Sequence, residues 1–434
     1  MERKVFEQYQ DIMSRIYPEY ELGSFLLTFQ VTDKCNLACS YCYQQNKGTR
    51  RMPFEVAKEA IDKILDGDES LLGYINPDDA PSILIEFIGG EPLLEIDLID
   101  QITEYFKSVA YLKRPLWAMN YFISISTNGM LYFDPKVQKY LEKNKKHIGL
   151  SITLDGSKEL HDACRLTIDG KPTYDQVLKA CMDYKAKHDC PGSKITISPE
   201  NVVYLFDAIK NILNLGYEDI NANVVYEEGW TIEHAKIYYE QLKKITDYVL
   251  DNHYEENYIS LFEDRYFHPK DEDDLQNWCG GDGHILAVDP DGNLYPCLRY
   301  MKSSLGEERE EYYIGNVYEG IGKCNICKDR IKCLKNITRK SQSTEQCFTC
   351  PIAEGCSWCS AYNYQINGTP DSRCTFICDM HKARSLANVY YWNKVYRKYG
   401  EEQRLKMHCP KDWALEIISE DEYEMLKKLS TLDE

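Results

Sequence analysis

"FLLTFQVTDKCNLACSYC", residues 25 to 42, runs from an apolar stretch through Asp33 into a loop carrying Cys35, Cys39 and Cys42. Its first seven residues read as a strand, because they are rich in apolar and aromatic side chains and end at a polar break. Three thiolates spaced C-x3-C-x2-C on one loop can wrap a small inorganic centre. A fourth would complete a tetrahedral zinc site or close a 4Fe-4S cluster. With three, one metal position is left to an exogenous ligand, and an open coordination site implies reactivity. A zinc site completed by a distant histidine is the bland alternative, although no histidine lies in the loop.

Beyond this loop, strand and helix patterns alternate. Phe54, Ala57, Ile61, Ile64 and Leu65 recur at helical spacing, and "SILIEFIGGEP" (82–92) is a strand closed by Gly89, Gly90 and Pro92. Helices are expected at 96–110, 134–144, 174–187, 201–214 and 231–250, with strands at 121–126, 148–154, 194–198 and 220–226. Six strands alternating with helices imply parallel pairing through right-handed crossovers. Cys35 to Cys42, Gly89 to Pro92, Ser126 to Gly129 and Asp155 to Gly156 all follow strands, where an α/β barrel or open sheet builds its site.

At 434 residues the chain exceeds the roughly 250–300 at which one core stops growing, so two domains are expected. The alternation lapses at 251–278 into an acidic, aromatic connector, and residues 279–378 then hold eleven of the eighteen cysteines with little helical periodicity. This divides the chain into an N-terminal extension (1–24), a barrel (25–250), the connector, a metal-organised domain (279–380) and a C-terminal helical region (381–434). A net charge of -19 argues against nonspecific nucleic-acid binding. The N-terminus lacks a signal-peptide core and no run is long enough to span a membrane, so a cytoplasmic location is expected. In a reducing compartment so many cysteines are ligands or catalytic groups more often than disulfides. Cys164, Cys181 and Cys190, which stand apart, read as buried small hydrophobes.

Cys35, Cys39 and Cys42, with Tyr41 before the last, resemble the signature of the radical S-adenosylmethionine (SAM) superfamily. The resemblance implies a partial (β/α)6 barrel and a 4Fe-4S cluster whose fourth iron is chelated by SAM, which yields a 5'-deoxyadenosyl radical on reduction. It extends to Gly89, Gly90, Glu91 and Pro92, similar to the turn supporting the methionine end of SAM, where small residues permit close backbone approach. It also covers Ser126, Thr127 and Asn128 of "STNG", similar to the ribose-contacting segment, and Ser151 of "SITLDG". "HDACR" (161–165), followed by Gly170 and Tyr174, is similar to the peptide-modifying branch, and Arg165 resembles a position near the SAM carboxylate or the substrate. Taken singly, these residues could merely turn or cap the chain. Asp155, Tyr174, Glu227 and Glu228 are candidates to move a proton, with structural hydrogen bonding the alternative for each.

In the second domain, "VDPDGNLYPC" (288–297) reads as a hairpin that returns Cys297 beside Cys279. With "YIGNV" (313–317) and the later cysteines it resembles the SPASM domain, the auxiliary-cluster extension of radical SAM peptide and protein maturases. By that pattern Cys279, Cys297 and Cys359 hold one auxiliary 4Fe-4S cluster, and Cys347, Cys350, Cys356 and Cys374 hold a second. Cys378 is the alternative fourth ligand of the first. "CNICKDRIKC" (324–333) repeats the C-x2-C-x5-C spacing of "CFTCPIAEGC" (347–356), so Cys324, Cys327 and Cys333 are candidates for a further metal site, or else a surface insertion with reactive thiols.

The resemblance implies a maturase of a ribosomally made, cysteine-bearing precursor peptide, supplied with electrons by a ferredoxin or flavodoxin-type reductant. An auxiliary cluster short of one protein ligand favours thioether formation. A formylglycine-forming sulfatase maturase and a carbon-carbon crosslinking maturase are the enzymatic alternatives, and a non-catalytic iron-sulfur peptide scaffold is the rival of another class. The short segment before the first strand is expected to be too small for a leader-binding domain, so a leader would bind elsewhere.

Overall fold

The computed structural model describes residues 23–188, 192–275, 279, 281–307 and 309–431. Cys190 and most of the N-terminal extension lie outside these residues.

Strand β1 (Ser24–Thr32) is central, with β2 (Ser82–Gly89), β3 (Tyr121–Thr127) and β4 (Ile148–Ile152) paired in parallel beyond it. Then β5 (Ser193–Ile197) and β6 (Asp219–Val224) continue in a three-stranded sheet with β7 (Tyr258–Ile259). One bridge, Thr153 to Lys194, links the two sheets, so the wall curves round as a partial barrel. Helices α1 (Phe54–Asp66), α2 (Ile96–Lys113), α3 (Pro135–Asn144), α4 (Lys158–Cys164), α5 (Tyr174–Lys187), α6 (Leu205–Asn214) and α7 (Ile232–Asp251) pack outside it.

Alternation along each strand sets the two faces. Phe25, Leu27, Phe29 and Val31 of β1, Ile83, Ile85 and Phe87 of β2, and Ile123 and Ile125 of β3 are buried against the helices. Each such side chain contributes about 1.5–3 kcal/mol on leaving water. Their strand neighbours Thr28, Gln30, Glu86, Ser124, Ser126 and Ser151 face inward. An inner face this polar lines a chamber rather than a dry core.

The hairpin that opens the cysteine-rich region belongs to the same sheet. Here β8 (Ile285–Val288) pairs in parallel with the free edge of β1, from Leu26 to Phe29, and β9 (Asn293–Tyr295) turns back antiparallel to it. Two short strands, β10 (Gly315–Asn316) and β11 (Gly320–Ile321), complete the edge. The barrel and the hairpin therefore share a sheet, which places Cys297 close to the mouth. Beyond it lie α8 (Asn325–Asn336), α9 (Ser360–Asn367), α10 (Cys378–Lys398), α11 (Lys411–Leu415) and α12 (Glu420–Leu429). Helix α8 was not visible in the apolar periodicity, because a helix this polar leaves few residues to mark a stripe.

Candidate active site

The loop after β1 carries Cys35, Cys39 and Cys42, all half-buried. Its backbone is tied down from the side, with Ala38 N donating to Leu166 O (2.9 Å) and Ser40 N to Cys164 O (3.0 Å). Burial pushes the Cys35 and Cys39 thiols up, and each is raised further by neighbouring thiols of the same loop. The three therefore converge. Among the described residues no three His, Cys, Asp or Glu side chains are grouped to hold a single metal ion.

The glycines beside this loop act on the chain itself. A Cβ on Gly89 would meet Thr32 O at 2.5 Å, and one on Gly90 would run into the Lys34 carbonyl. The close approach expected for a bound group is thus already used by the root of the cysteine loop. Glu91 is buried, and its carboxylate accepts from Leu93 N (3.0 Å), Thr127 Oγ1 (2.6 Å) and Asn128 N (2.8 Å). It locks the β2 turn to the end of β3, while burial raises its pKa. Pro92 starts the short turn that follows. Asn128 Nδ2 donates to Asn36 Oδ1 (2.7 Å) and lies 3.9 Å from Cys35 Sγ. Ser126 and Ser151 sit side by side on the chamber wall.

Tyr41, Asp155 and Arg165 form one buried network. The Tyr41 hydroxyl donates to Asp155 Oδ2 and accepts from Arg165 NH1 (2.8 Å), and Arg165 NH1 stands 3.9 Å from Asp155 Oδ2. Arg165 Nε has no partner, so this buried guanidinium retains a donor for something outside the protein's own bonds. Behind it, His161 accepts from Asp155 N through Nδ1 (3.3 Å), and Nε2 meets Thr173 Oγ1 (3.1 Å), which itself donates to Arg165 O. Nε2 must then carry the proton. Burial, helped by Arg165, pulls the His161 pKa down to about 3.

Tyr174 does not join this group. It is buried among the outer helices, edge-on to His161, with its hydroxyl accepting from Asn211 Nδ2 (3.1 Å) on α6. Of the two readings left open for Tyr174, its surroundings favour structural hydrogen bonding, because it opens α5 on the helix side of the wall. Glu227 pairs with Arg299 (2.6 Å), whose guanidinium lies 5.6 Å from the Tyr43 ring. Tyr43 feels both Cys42 and Cys297, so this trio stands between the first loop and the second set of thiols. Neither Tyr43 nor Arg299 stood out in the sequence. Glu86, which accepts from Thr28 Oγ1 (2.9 Å), did leave a signal: it is the lone charge in an apolar strand.

The later cysteines sort into two groups. Cys279, Cys297 and Cys359 lie together: Cys279 Sγ is 3.0 Å from Ser360 Oγ, Cys359 Sγ accepts from Tyr362 N (3.5 Å), and burial followed by the other two thiols raises Cys297. Cys347, Cys350, Cys356 and Cys378 line a cavity of about 970 Å³ together with Arg373, which donates to Cys356 Sγ (3.0 Å). Burial, then Cys356 and Cys347, pushes Cys378 up to about 12.

This corrects the expected second set, because Cys374 is not on that cavity. Its thiol contacts Asn367 Nδ2 (3.5 Å) and Tyr362 O (3.9 Å), and it feels Cys359 instead. Cys374 N is anchored to Asn363 Oδ1 (2.9 Å) beside α9, and the first turn of α10 then carries Cys378 into the cavity. Cys378 accordingly stands with the second group and does not complete the first. Cys359 and Cys374 touch the N–H and the C=O of one helical residue, groups that point opposite ways along the axis.

The three thiols of the candidate third site are not brought together in this structure. Cys324 and Cys327 form a disulfide, while Cys333 hydrogen-bonds Tyr312. Cys327 and Cys333 are six residues apart on α8, about 9 Å along its axis and roughly 120° around it. Cys164 and Cys181 are buried, as expected of small hydrophobes.

An α/β partial barrel with a three-thiol loop at its mouth, and further thiols packed against that mouth, defines a class of radical enzymes. The family model described as the radical SAM superfamily matches residues 29–198. An uncharacterized protein of Methanocaldococcus jannaschii is 30% identical over 275 residues, covering 62% of this chain and 84% of that one. The cysteine-type anaerobic sulfatase-maturating enzyme of Clostridium perfringens is 27% identical over 317 residues, 68% of this chain and 77% of the enzyme. Among solved structures, native anSMEcpe with bound AdoMet and Kp18Cys peptide superposes with a TM-score of 0.61 at 18% identity, over 87% of this chain and 100% of that one. Streptococcus suis SuiB bound to precursor peptide SuiA gives 0.53 at 13%, over 80% and 74%. The chain belongs to the radical SAM superfamily and is related to its SPASM-domain maturases. It is a radical SAM enzyme. Among the described residues no helix is long and apolar enough to cross a membrane.

Proposed function

We propose that this enzyme is a cytoplasmic maturase that forms a thioether crosslink in a ribosomally made, cysteine-containing peptide. The observation that carries this reading is the division of the auxiliary thiols into three and four. Cys347, Cys350, Cys356 and Cys378 supply a full set for one 4Fe-4S cluster, whereas Cys279, Cys297 and Cys359 leave one metal position that a substrate thiolate would fill. Peptide substrates named for SuiB and anSMEcpe, and the sulfatase-maturating relatives, support a polypeptide substrate.

In this reading Cys35, Cys39 and Cys42 hold the catalytic cluster and leave its fourth position to SAM; when bound and reduced by a ferredoxin or flavodoxin, that pair supplies a 5'-deoxyadenosyl radical. Glu91 clamps the two strand ends beneath it, Ser126 and Ser151 line the chamber, and Asn128 holds the cysteine loop through Asn36. The unpartnered Arg165 Nε is the donor available to a bound carboxylate. Arg299 and Tyr43 span the gap to the three-thiol site, and Glu227 fixes the Arg299 guanidinium. The auxiliary segment begins at 279 in chain order, with its hairpin fused to the barrel sheet.

The test is anaerobic reconstitution followed by mass spectrometry of a precursor peptide encoded nearby. Loss of two hydrogens per crosslink, with one thiol no longer alkylated, supports the thioether. The same loss with every thiol still alkylated points to a carbon-carbon bond. Loss of the sulfur itself supports the sulfatase-maturase reading, which the Clostridium perfringens relative favours. Absence of 5'-deoxyadenosine would leave only a scaffold.

A further inference from the structure

Cys324 and Cys327 play no part in the proposed function, yet their setting is specific. Cys324 is the N-cap of α8, a helix of twelve residues, and its sulfur accepts from the backbone N–H of Cys327 at 3.1 Å. Such a donor at the positive end of a helix favours thiolate over thiol. Lys323 and Lys328, both exposed, flank the pair and add positive charge. The two sulfurs differ in access: Cys324 is half-buried, while Cys327 is 3% exposed. Ile326 between them is 46% exposed, giving an incoming chain an apolar foothold. The structure joins the two sulfurs as a disulfide within one helical turn.

We infer that Cys324 and Cys327 are a two-electron thiol-disulfide exchange site for a polypeptide disulfide, with Cys324 the attacking sulfur and Cys327 the resolving one. In the reduced pair, the Cys324 thiolate attacks one sulfur of the incoming disulfide, forming a mixed disulfide and releasing one thiol. The Cys327 thiolate then attacks Cys324 Sγ, which closes the internal disulfide and releases the second thiol. Two thiols of this chain are oxidised and one external disulfide is reduced; a dithiol donor runs the steps in reverse and restores the pair. The order follows from access, because an incoming sulfur can reach Cys324 and not Cys327. This site is independent of the radical chemistry.

The experiment uses the cluster-loaded full-length enzyme, equilibrated anaerobically in buffers of defined reduced-to-oxidised glutathione ratio. The samples are quenched with a maleimide, and the peptide carrying both cysteines is analysed by mass spectrometry. Both thiols should appear and disappear together in one reversible transition. Cys327→Ser should trap glutathione on Cys324 at least tenfold faster than Cys324→Ser traps it on Cys327. The double variant should keep its full iron content. Faster trapping on Cys327, independent titration of the two thiols, or loss of iron from the double variant would each overturn the assignment, the last by returning these residues to metal binding.

Discussion

Residues 324–333 and 347–356 carry the same C-x2-C-x5-C spacing and end in different chemistry. The first has no proline or glycine, so it winds into α8 and turns Cys333 away from the Cys324–Cys327 pair. The second has Pro351 directly after Cys350 and Gly355 at a φ of +73°, and the helical turn at Glu345–Phe348 stops short of Cys350. The rest stays in turns and points its thiols into one cavity. A Cβ at Gly355 would also strike the Tyr266 ring, so this backbone has no room for another residue. Three outside groups hold it: Arg339 donates to Phe348 O (2.8 Å), His381 Nε2 to Ile352 O (2.7 Å) and Arg373 to Cys356. Spacing thus proposes a ligand set, and backbone conformation decides whether the set can close.

The sharpest way to break this contrast is to count irons. Cys350→Ser should cost the reconstituted enzyme about four irons, a whole cluster, whereas Cys333→Ser should cost none. Equal losses would erase the distinction. Cys378→Ser should behave as Cys350→Ser, and Cys374→Ser as Cys333→Ser; iron loss at Cys374 would assign it to the three-thiol site and remove the open position.

Acid should separate the two segments next. His381 is neutral in the fold, its pKa pulled to about 4 by burial. Below the unfolded value near 6.5 the unfolded chain binds the extra proton, so stability is full above pH 6.5 and falls as pH drops toward 4. The expected loss is about 2 kcal/mol at pH 5. Hydrogen exchange at pH 7 and 5, corrected for intrinsic rates, should show protection near Ile352 declining before that of α8. A His381→Gln variant should flatten the difference.

Gly355→Ala should destabilise the enzyme by about 1–3 kcal/mol, through a positive φ and a steric clash. Lys328→Ala, on the exposed face of α8, should stay within about 0.5 kcal/mol. Thermal melts of the two variants measure this directly. The smallest effect concerns Arg373, whose positive charge sits among the four thiols. Arg373→Met should lower the reduction potential of the cluster proposed at these four thiols by about 50 mV, close to tenfold for a one-electron couple. An unchanged potential in an EPR-monitored titration would mean the charge is screened there.

Much of the barrel was legible because a parallel α/β wall writes itself locally. Its strands are short apolar runs, its helices amphipathic, and its functional loops follow strand ends, so the expected elements from 54 to 251 match those observed to within a few residues. Cys35, Cys39 and Cys42 were legible too, since one loop presents all three. Tyr43 and Arg299 were not: they are 256 positions apart and meet only because β8 joins β1. Tyr174 kept two readings in the sequence because a motif position fixes distance along the chain and not which side of the wall a side chain enters.

The amino-acid sequence by itself determined the barrel, the three-thiol loop and the pool of auxiliary cysteines, because strand period, helix period and loop spacing are local properties. Tertiary structure decided which auxiliary thiols share a site, since Cys374 and Cys378 are four residues apart and part only where α10 begins. It likewise decided that Cys324 and Cys327 face each other while their counterparts face a cavity. Convergence in space depends on backbone angles and on what packs behind them, and identical spacing leaves both open.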